Sequence, residues 1–154
     1  MEQEIHLYTD GSARGNPGPG GYGIVLEWPV KNYRKEFSEG FTHTTNNRME
    51  LLAVVEGLKK LTKHPLTIKV FTDSKYVADA FLKNWVFGWE KKNFSGRKNA
   101  DLWKALLIEY RKHNVSFHWV KGHNNHPQNE RCDRLAVAAS FSKEAKEDKG
   151  YIEG

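Results

Sequence analysis

The sequence has 154 residues, enough for one domain with a substantial hydrophobic core. Lysine and arginine total 24 against 19 acidic residues, so the formal net charge is +5 and an anionic partner is favoured. The single cysteine, Cys132, excludes an internal disulfide, and no apolar run is long enough to span a bilayer.

The first half of the chain predicts three strands and a helix. Strands are expected at 4–12, 21–28 and 33–41, joined by a glycine-rich turn and a short turn so that they form an antiparallel meander. Residues 46–61 carry apolar side chains at helical spacing, which predicts an amphipathic helix.

The second half alternates strands and helices. Strands are predicted at 66–73 and 115–122, and helices at 74–85, 100–113 and 129–145. This order predicts an α/β domain with one mixed sheet flanked by helices, in which the strand ending at Asp73 runs parallel to the strand ending at Asp10. Residues 1–154 are expected to form a single domain, with the polar segment 146–154 loosely held. No signal-like segment follows Met1, so we expect a cytoplasmic protein without a membrane partner.

The glycine-rich segment after the first strand resembles a dinucleotide-binding loop in its letters only. Gly18, Gly20 and Gly23 match G-x-G-x-x-G, but that motif requires a helix to begin within it. Here Pro17 and Pro19 interrupt the run and a strand follows. A tight turn between antiparallel strands is therefore predicted.

A basic and aromatic segment, "KNWVFGWEKKNFSGRKN", covers residues 83–99. Five basic side chains alternate there with four aromatic ones, and Glu90 is the only acid. Such a mixture is typical of a nucleic-acid surface, in which cations contact phosphates and rings contact sugars or bases. A solvated loop over a few core aromatics is an equally good interpretation of this segment alone.

Four acidic residues have ordinary roles when each is taken singly. Asp73 could cap a helix, Glu50 could form a capping box with Asn47, Asp10 could stabilise a turn, and Asp133 could face solvent. Taken together they predict a site, because the ends of two central strands and the first turn of a helix should meet at one sheet edge.

Clustered carboxylates repel one another unless protons or cations intervene, and Mg²⁺ is the natural hard cation for oxygen ligands. A zinc site from His123, His126 and Cys132 is disfavoured, since their spacing fits no standard structural pattern. An acidic metal centre in a basic protein favours phosphodiester cleavage with two metal ions.

Five segments together resemble the bacterial ribonuclease HI family, type 1 ribonuclease H, over almost the whole chain. They are "YTDGSARGNPGPGGYG", "TTNNRMELLAVVEGL", "FTDSKYV", "NADLW" and "WVKGHNNHPQNERCDRLA". The resemblance implies a ribonuclease H-like fold with a five-stranded mixed sheet. It also implies a monomer that uses two Mg²⁺ ions, with Mn²⁺ as a substitute, to cut the RNA strand of RNA/DNA hybrids endonucleolytically, leaving 5′-phosphate and 3′-hydroxyl ends.

The resemblance also implies roles for individual residues. Asp10 would bridge both ions, Asp133 would share the ion that activates water, and Glu50 with Asp73 would hold the ion facing the leaving oxygen. His123 matches a loop histidine assigned to proton transfer or product release, which suits its titration near neutral pH. The residues implied in reading the minor groove of the hybrid are Asn16, Asn46 and Asn47.

The remaining implied contacts concern the DNA strand. Trp85, Trp89, Lys91 and Lys92 match a substrate-binding protrusion, and Thr45 and Asn99 match a DNA-phosphate pocket. Three features depart from the family pattern and bear on affinity. His43 stands where an arginine is common in that pocket, Lys75 stands where a glutamine often contacts the hybrid, and Glu90 interrupts a slightly shortened protrusion.

Two alternatives remain open from the sequence. One is a noncatalytic nucleic-acid-binding module with the same fold, against which all four acids argue. The other is a DNA-acting relative such as an integrase or junction resolvase, which would lack the asparagine-rich motifs and the tryptophan protrusion.

Overall fold

The computed structural model describes residues 4–121 and 126–152 and forms one five-stranded sheet with helices packed against it. The strands are β1 (Glu4–Ala13), β2 (Gly18–Trp28), β3 (Tyr33–Thr44), β4 (Thr67–Thr72) and β5 (Asn114–Trp119). The helices are α1 (Asn46–Lys59), α2 (Lys75–Leu82), α3 (Trp85–Lys91), α4 (Ala100–Tyr110) and α5 (Pro127–Ala139). Within these described ranges, no helix combines the length and apolar character needed to cross a membrane.

The strand order is β3-β2-β1-β4-β5, and it confirms the predicted mixed sheet. The first three strands form an antiparallel meander, whereas β4 pairs with β1 in parallel. In that parallel ladder Thr9 lies opposite Thr72. Asp10 and Asp73 follow these two threonines, so both acids lie at the carboxyl edge of the sheet, where open sheets place their sites.

The glycine-rich segment is a hairpin connection, as predicted. Arg14 N donates to Pro19 O at 2.7 Å, and β2 rather than a helix follows the turn. Two glycines at its borders are required for helix packing. A Cβ on Gly11 would collide with the backbone of α1 at Met49 and Glu50, and a Cβ on Gly23 would collide with Cys132 O of α5. Their absence of a side chain therefore lets α1 and α5 approach β1 and β2 closely.

The main core lies between one face of the sheet and helices α1, α2 and α4. The apolar stripe predicted for α1 is buried as expected, with Leu51, Val54, Val55 and Leu58 at most 1% exposed. They pack with sheet residues such as Leu7 and with large side chains of α4 that include Trp103. This burial fixes the long axis of α1 against the sheet and so fixes the position of its first turn.

Several element boundaries differ from the predicted ones. The helix predicted at 74–85 ends at Leu82, because Asn84 adopts a left-handed conformation with φ 59°, and a further helix, α3, begins at Trp85. The basic and aromatic segment is therefore partly helical rather than a loop. The last helix begins at Pro127, where a proline suits the first turn, and ends at Ala139 rather than at 145.

Part of the polar C-terminal segment is attached to the domain. Lys146 N donates to Gly40 O at 2.9 Å, and Thr42 N donates to Lys146 O at 2.8 Å, which places residue 146 alongside β3. Asp148 accepts hydrogen bonds from Thr44 Oγ1 and Arg48 Nε, each at 2.7 Å. These contacts anchor a stretch that composition alone predicts to be loosely held.

Candidate active site

Three carboxylates meet at the carboxyl edge of the sheet. Asp10 comes from β1, Glu50 from α1 and Asp73 from the end of β4, and one oxygen of each lies within 4.8 Å of the others. Parallel pairing of β1 with β4 brings the two aspartates together, and the close contact of α1 with Gly11 brings Glu50 to them. The predicted convergence of these three acids is confirmed.

Asp133 completes the acidic lining of the same cavity. It lies on α5, which packs against β1 and β2, and it faces a cavity of about 310 Å³ together with the three clustered acids. Ser12, Asn46 and Ser74 supply polar side chains to the same cavity. The cavity thus offers four carboxylates and neutral oxygen-bearing side chains.

Burial and mutual repulsion disfavour ionisation in this cluster. Asp10 is 4% exposed, and burial raises the pKa of its carboxyl to about 7, with Asp73 and Asp133 adding to the rise. Burial also raises the pKa of Glu50 well above its usual range, and the nearby Asp10 contributes. Without a counterion, the fold therefore favours protonated acids at the centre of this site.

The donor set fits a hard divalent cation. Gly11 N donates to both Asp10 Oδ1 at 2.9 Å and Glu50 Oε1 at 2.8 Å, while Glu50 Oε2 is buried and has no hydrogen-bond partner among the described residues. A buried carboxylate oxygen without a donor is costly unless a cation or proton binds it. All ligand atoms in this group are oxygens, as Mg²⁺ and similar ions prefer.

Helix caps do not require Glu50 or Asp73. Thr45 caps α1, accepting a hydrogen bond from Arg48 N at 3.2 Å, so a capping box between Asn47 and Glu50 is wrong. Ser74 caps α2 by accepting from Val77 N at 3.2 Å, so Asp73 is not the capping residue. Both acids line the acidic cavity.

A larger groove of about 920 Å³ collects four of the predicted substrate contacts, which are Asn16, Thr45, Asn47 and Asn99. Asn46 instead lines the acidic cavity, so the first turn of α1 contributes to both spaces. Asn46 N donates to Asn16 Oδ1 at 2.9 Å, and Ala13 N donates to Asn46 Oδ1 at 2.6 Å. These bonds tie the hairpin turn to the start of α1.

Two of the three departures from the family pattern, His43 and Lys75, lie outside the linings of both the acidic cavity and the groove. His43 is exposed, and its ring centroid lies 5.5 Å from that of Tyr151. Lys75 is exposed at the start of α2, with its ammonium 4.8 Å from the centroid of Trp119. Both side chains are therefore close to aromatic rings at the surface.

The basic and aromatic segment combines core and surface roles. Phe94 is buried, whereas Trp85 is 49% exposed and Trp89 is half-buried against Trp103. Lys91 and Lys92 are exposed at the end of α3. Glu90 accepts two hydrogen bonds of 2.6 Å from Arg111, so its charge is paired within the chain. Each of the two sequence interpretations therefore describes part of this segment.

Sequence reasoning missed Trp119 and the groove residue Arg48. The indole of Trp119 donates to Asp73 O at 3.1 Å, and the ring is 39% exposed beside the site. Arg48 is buried under the groove and donates to Asp101 and Asp148. Their places in the quoted motifs were the only available signal. His123, the predicted proton-transfer residue, lies outside the described residues.

Comparison with known proteins gives a consistent result. The model of the RNase H family matches residues 2–141. The ribonuclease H of Aeromonas hydrophila is 49% identical over 156 residues, covering 98% of this chain and 99% of that protein. LC9-RNase H1, a type 1 RNase H with the type 2 active-site motif, has a similar structure with a TM-score of 0.81 at 28% identity, covering 100% of this chain and 79% of that one.

A further solved structure is that of LC11-RNase H1 in complex with an RNA/DNA hybrid. It covers 88% of this chain and 95% of its own, with a TM-score of 0.66 at 24% identity. At that identity the likeness establishes a common fold.

Proposed function

This chain belongs to the RNase H family, and from that premise we propose that Asp10, Glu50, Asp73 and Asp133 hold two Mg²⁺ ions that cleave the RNA strand of RNA/DNA hybrids. The observation that carries the proposal is the cluster of Asp10, Glu50 and Asp73, in which Asp10 and Glu50 are buried and one oxygen of each acid lies within 4.8 Å of the others. A cluster of this kind is unfavourable without cations.

The acids have distinct positions from which to act. Two bound divalent ions would activate a water on one side of the phosphorus and stabilise the leaving oxygen on the other. Asp10 clusters with Glu50 and Asp73 and shares their cavity with Asp133, so it would be the ligand common to both ions, as the family resemblance implies. Glu50 and Asp73 would complete one ion site and Asp133 the other. His123 would serve proton transfer or product release.

The groove beside the cavity suits the hybrid. Asn16, Asn46 and Asn47 present amides that can contact base edges and sugars of either strand without strong sequence preference. Thr45 and Asn99, which line the groove, would hold a DNA phosphate. The exposed side chains of Trp85, Lys91 and Lys92, together with the half-buried Trp89, would contact the DNA strand.

His43 and Lys75 would adjust affinity through phosphate contacts rather than through the chemical step. LC11-RNase H1 was solved with an RNA/DNA hybrid, which supports the same class of ligand for this chain. A cytoplasmic monomer is the expected working form, and Mn²⁺ is the expected substitute for Mg²⁺.

The decisive experiment is a gel assay with strand-labelled substrates. The wild type, incubated with Mg²⁺, should cut only the RNA strand of a hybrid and leave duplex DNA and duplex RNA intact. Asp10→Asn preserves size and removes one charge, so it should abolish turnover, as should a chelator. Binding without cleavage by the wild type would indicate a noncatalytic module, and cleavage of DNA would indicate a DNA-acting relative.

A further inference from the structure

Arg14 joins the turn between β1 and β2 to the end of α5. Its Nη2 donates to Ser140 O at 2.8 Å and its Nε donates to Ser140 Oγ at 3.2 Å. The guanidinium carbon lies 3.8 Å from the ring centroid of Phe141. Ser140 is the C-cap of α5, so a cation meets the negative end of this helix.

The same turn is held on its other side by α1. Asn46, the first residue of α1, accepts from Ala13 N and donates its own N–H to Asn16 Oδ1. The turn is thus clamped between the start of the helix that carries Glu50 and the end of the helix that carries Asp133. Each clamp uses side-chain hydrogen bonds to elements distant in sequence.

The position of Asn16 depends on these two clamps. Asn16 and Pro17 are exposed on the turn and line the 920 Å³ groove. The turn itself is tight, since Gly15 has φ +74° and a Cβ on Gly18 would collide with Arg14 O. A tight turn moves as a unit, so an anchor at Arg14 also restrains Asn16 two residues away.

We propose that Arg14 is a positioning residue, which holds the turn against α5 and thereby fixes Asn16 at the groove for substrate binding. This inference rests on the proposed function, because it takes the groove to be where the hybrid lies. Arg14 acts through Asn16, and its guanidinium stays on Ser140 and Phe141 rather than contacting a phosphate. Its effect therefore falls on KM and not on kcat.

The test combines steady-state cleavage of a hybrid with equilibrium binding of a non-cleavable hybrid in chelator, over a range of salt concentrations. The variants are Arg14→Ala, Arg14→Lys, Asn16→Ala and the double variant Arg14→Ala with Asn16→Ala. Arg34→Ala is the matched control, because it removes another surface arginine, one that pairs with Glu27 and Glu36. A melting curve for each variant establishes that it is folded at the assay temperature.

We expect both Arg14 variants to raise KM and the dissociation constant by roughly threefold to tenfold, the effect of losing about one net hydrogen bond. Lysine should not rescue, since its ammonium lacks the planar fork with which the guanidinium donates from two nitrogens to Ser140 while its face lies on the Phe141 ring. The kcat should stay within about twofold of wild type. In the Asn16→Ala background, removing Arg14 should change neither constant further.

Three results would overturn the inference. The first is that Arg14→Lys behaves as wild type while the dissociation constant of Arg14→Ala depends less on salt than that of Arg34→Ala, by about one phosphate contact. This result would mean that Arg14 contacts a phosphate directly. The second is that Arg14→Ala weakens binding equally in the wild-type and Asn16→Ala backgrounds, which would mean that Arg14 does not act through Asn16. The third is that Arg14→Ala leaves KM and the dissociation constant unchanged, which would mean that Arg14 is not a positioning residue. If the wild type binds the hybrid but does not cut it, the proposed function fails, and the binding constants still decide the role of Arg14.

Discussion

Helix α1 carries two buried charged side chains, Arg48 and Glu50, two residues apart, and their surroundings differ completely. Arg48 donates to carboxylate oxygens of Asp101 and Asp148 at 2.7 Å and to Asn99 Oδ1 at 3.2 Å. Glu50 Oε1 accepts a hydrogen bond from Gly11 N, and Glu50 Oε2 has no hydrogen-bond partner within the part of the chain that the structure describes.

The pKa values of the two groups follow from these surroundings. Burial alone would lower the pKa of the Arg48 guanidinium, but hydrogen bonds to Asp101 and Asp148 hold it above its ordinary value. Burial and Asp10 raise the pKa of Glu50, so its charged form is disfavoured. The Arg48 cluster is therefore complete within the chain, whereas the Glu50 cluster is completed by protons or cations. The charges around Arg48 are therefore structural, whereas the acids around Glu50 can bind a ligand cation.

Glu50→Gln tests most directly whether the Glu50 cluster, unlike the Arg48 cluster, serves catalysis. The substitution keeps the shape and the acceptor for Gly11 N but removes a ligand charge, so kcat on the hybrid should fall about 100-fold or more. Single-turnover and steady-state cleavage with Mg²⁺ measure this. Asp148→Asn, assayed well below its melting temperature, should retain kcat within a few fold, because its carboxylate lies in the complete cluster. A Glu50→Gln enzyme above a tenth of wild-type kcat would contradict the assignment.

For stability we expect the reverse order, with Asp148→Asn more destabilising than Glu50→Gln. Asp148 is 8% exposed in its side chain, and removing its charge by Asp148→Asn leaves Arg48 buried with one carboxylate partner. The free energy of unfolding should fall by about 2–3 kcal/mol, somewhat less than for a fully unpaired buried charge. Urea denaturation measures it.

Asp101→Asn is the control for this loss. The Asp101 side chain is 46% exposed, so solvent screens its interaction and the loss should be at most about 1 kcal/mol. A larger loss from Asp101→Asn than from Asp148→Asn would mean that the C-terminal segment does not contribute the main buried partner of Arg48.

Asp10→Asn should stabilise the metal-free protein in a pH-dependent way. The folded pKa of Asp10, about 7, lies above the ordinary value of 3.8, so its contribution to stability is full below pH 3.8 and is lost as pH rises through 7. Asparagine resembles the protonated acid. The two proteins should therefore have similar stability only below pH 3.8, and the stability advantage of the variant should grow by on the order of 2–3 kcal/mol between about pH 5 and about pH 8.5.

Melting curves in chelator from pH 5 to 8.5 measure this difference. Adding Mg²⁺ at pH 8.5 should narrow it, because the ion binds and stabilises the wild type preferentially. A difference between the two proteins that does not change with pH would contradict the repulsion assigned to the cluster.

The sequence predicted the acidic cluster because its geometry follows from simple rules. Asp10 and Asp73 end strands of similar pattern, and a right-handed crossover makes those strands parallel neighbours. Glu50 lies one turn into a helix whose apolar stripe is unambiguous. The capping residue was not predicted correctly, since Thr45 and Asn47 are both good caps and local pattern does not distinguish them.

The sequence contains no comparable pattern for the ion-paired cluster around Arg48. Arg48 is 53 residues from Asp101 and 100 from Asp148 in the chain, and isolated charges at such separations leave no periodicity. The break between α2 and α3 depends on one left-handed residue, Asn84, which the helical pattern passes over. The clamp at Arg14 likewise joins residues 126 apart. Long-range polar contacts of this kind become visible only in the folded chain.

The smallest predicted effect concerns charges that neither cluster uses. Glu90 is paired with Arg111, while Lys91 and Lys92 have no ion-pair partner among the described residues. Lys91→Ala combined with Lys92→Ala should raise KM for the hybrid about threefold at moderate salt, with kcat unchanged, because the DNA-phosphate contacts proposed for these two lysines would be lost. The dependence of log KM on log salt should weaken by about one to two contacts. Lys59→Ala with Lys60→Ala, at the far end of α1, removes the same charge as a control. If the two double variants behave alike, the effect belongs to overall charge, and the α3 lysines do not contact the DNA strand.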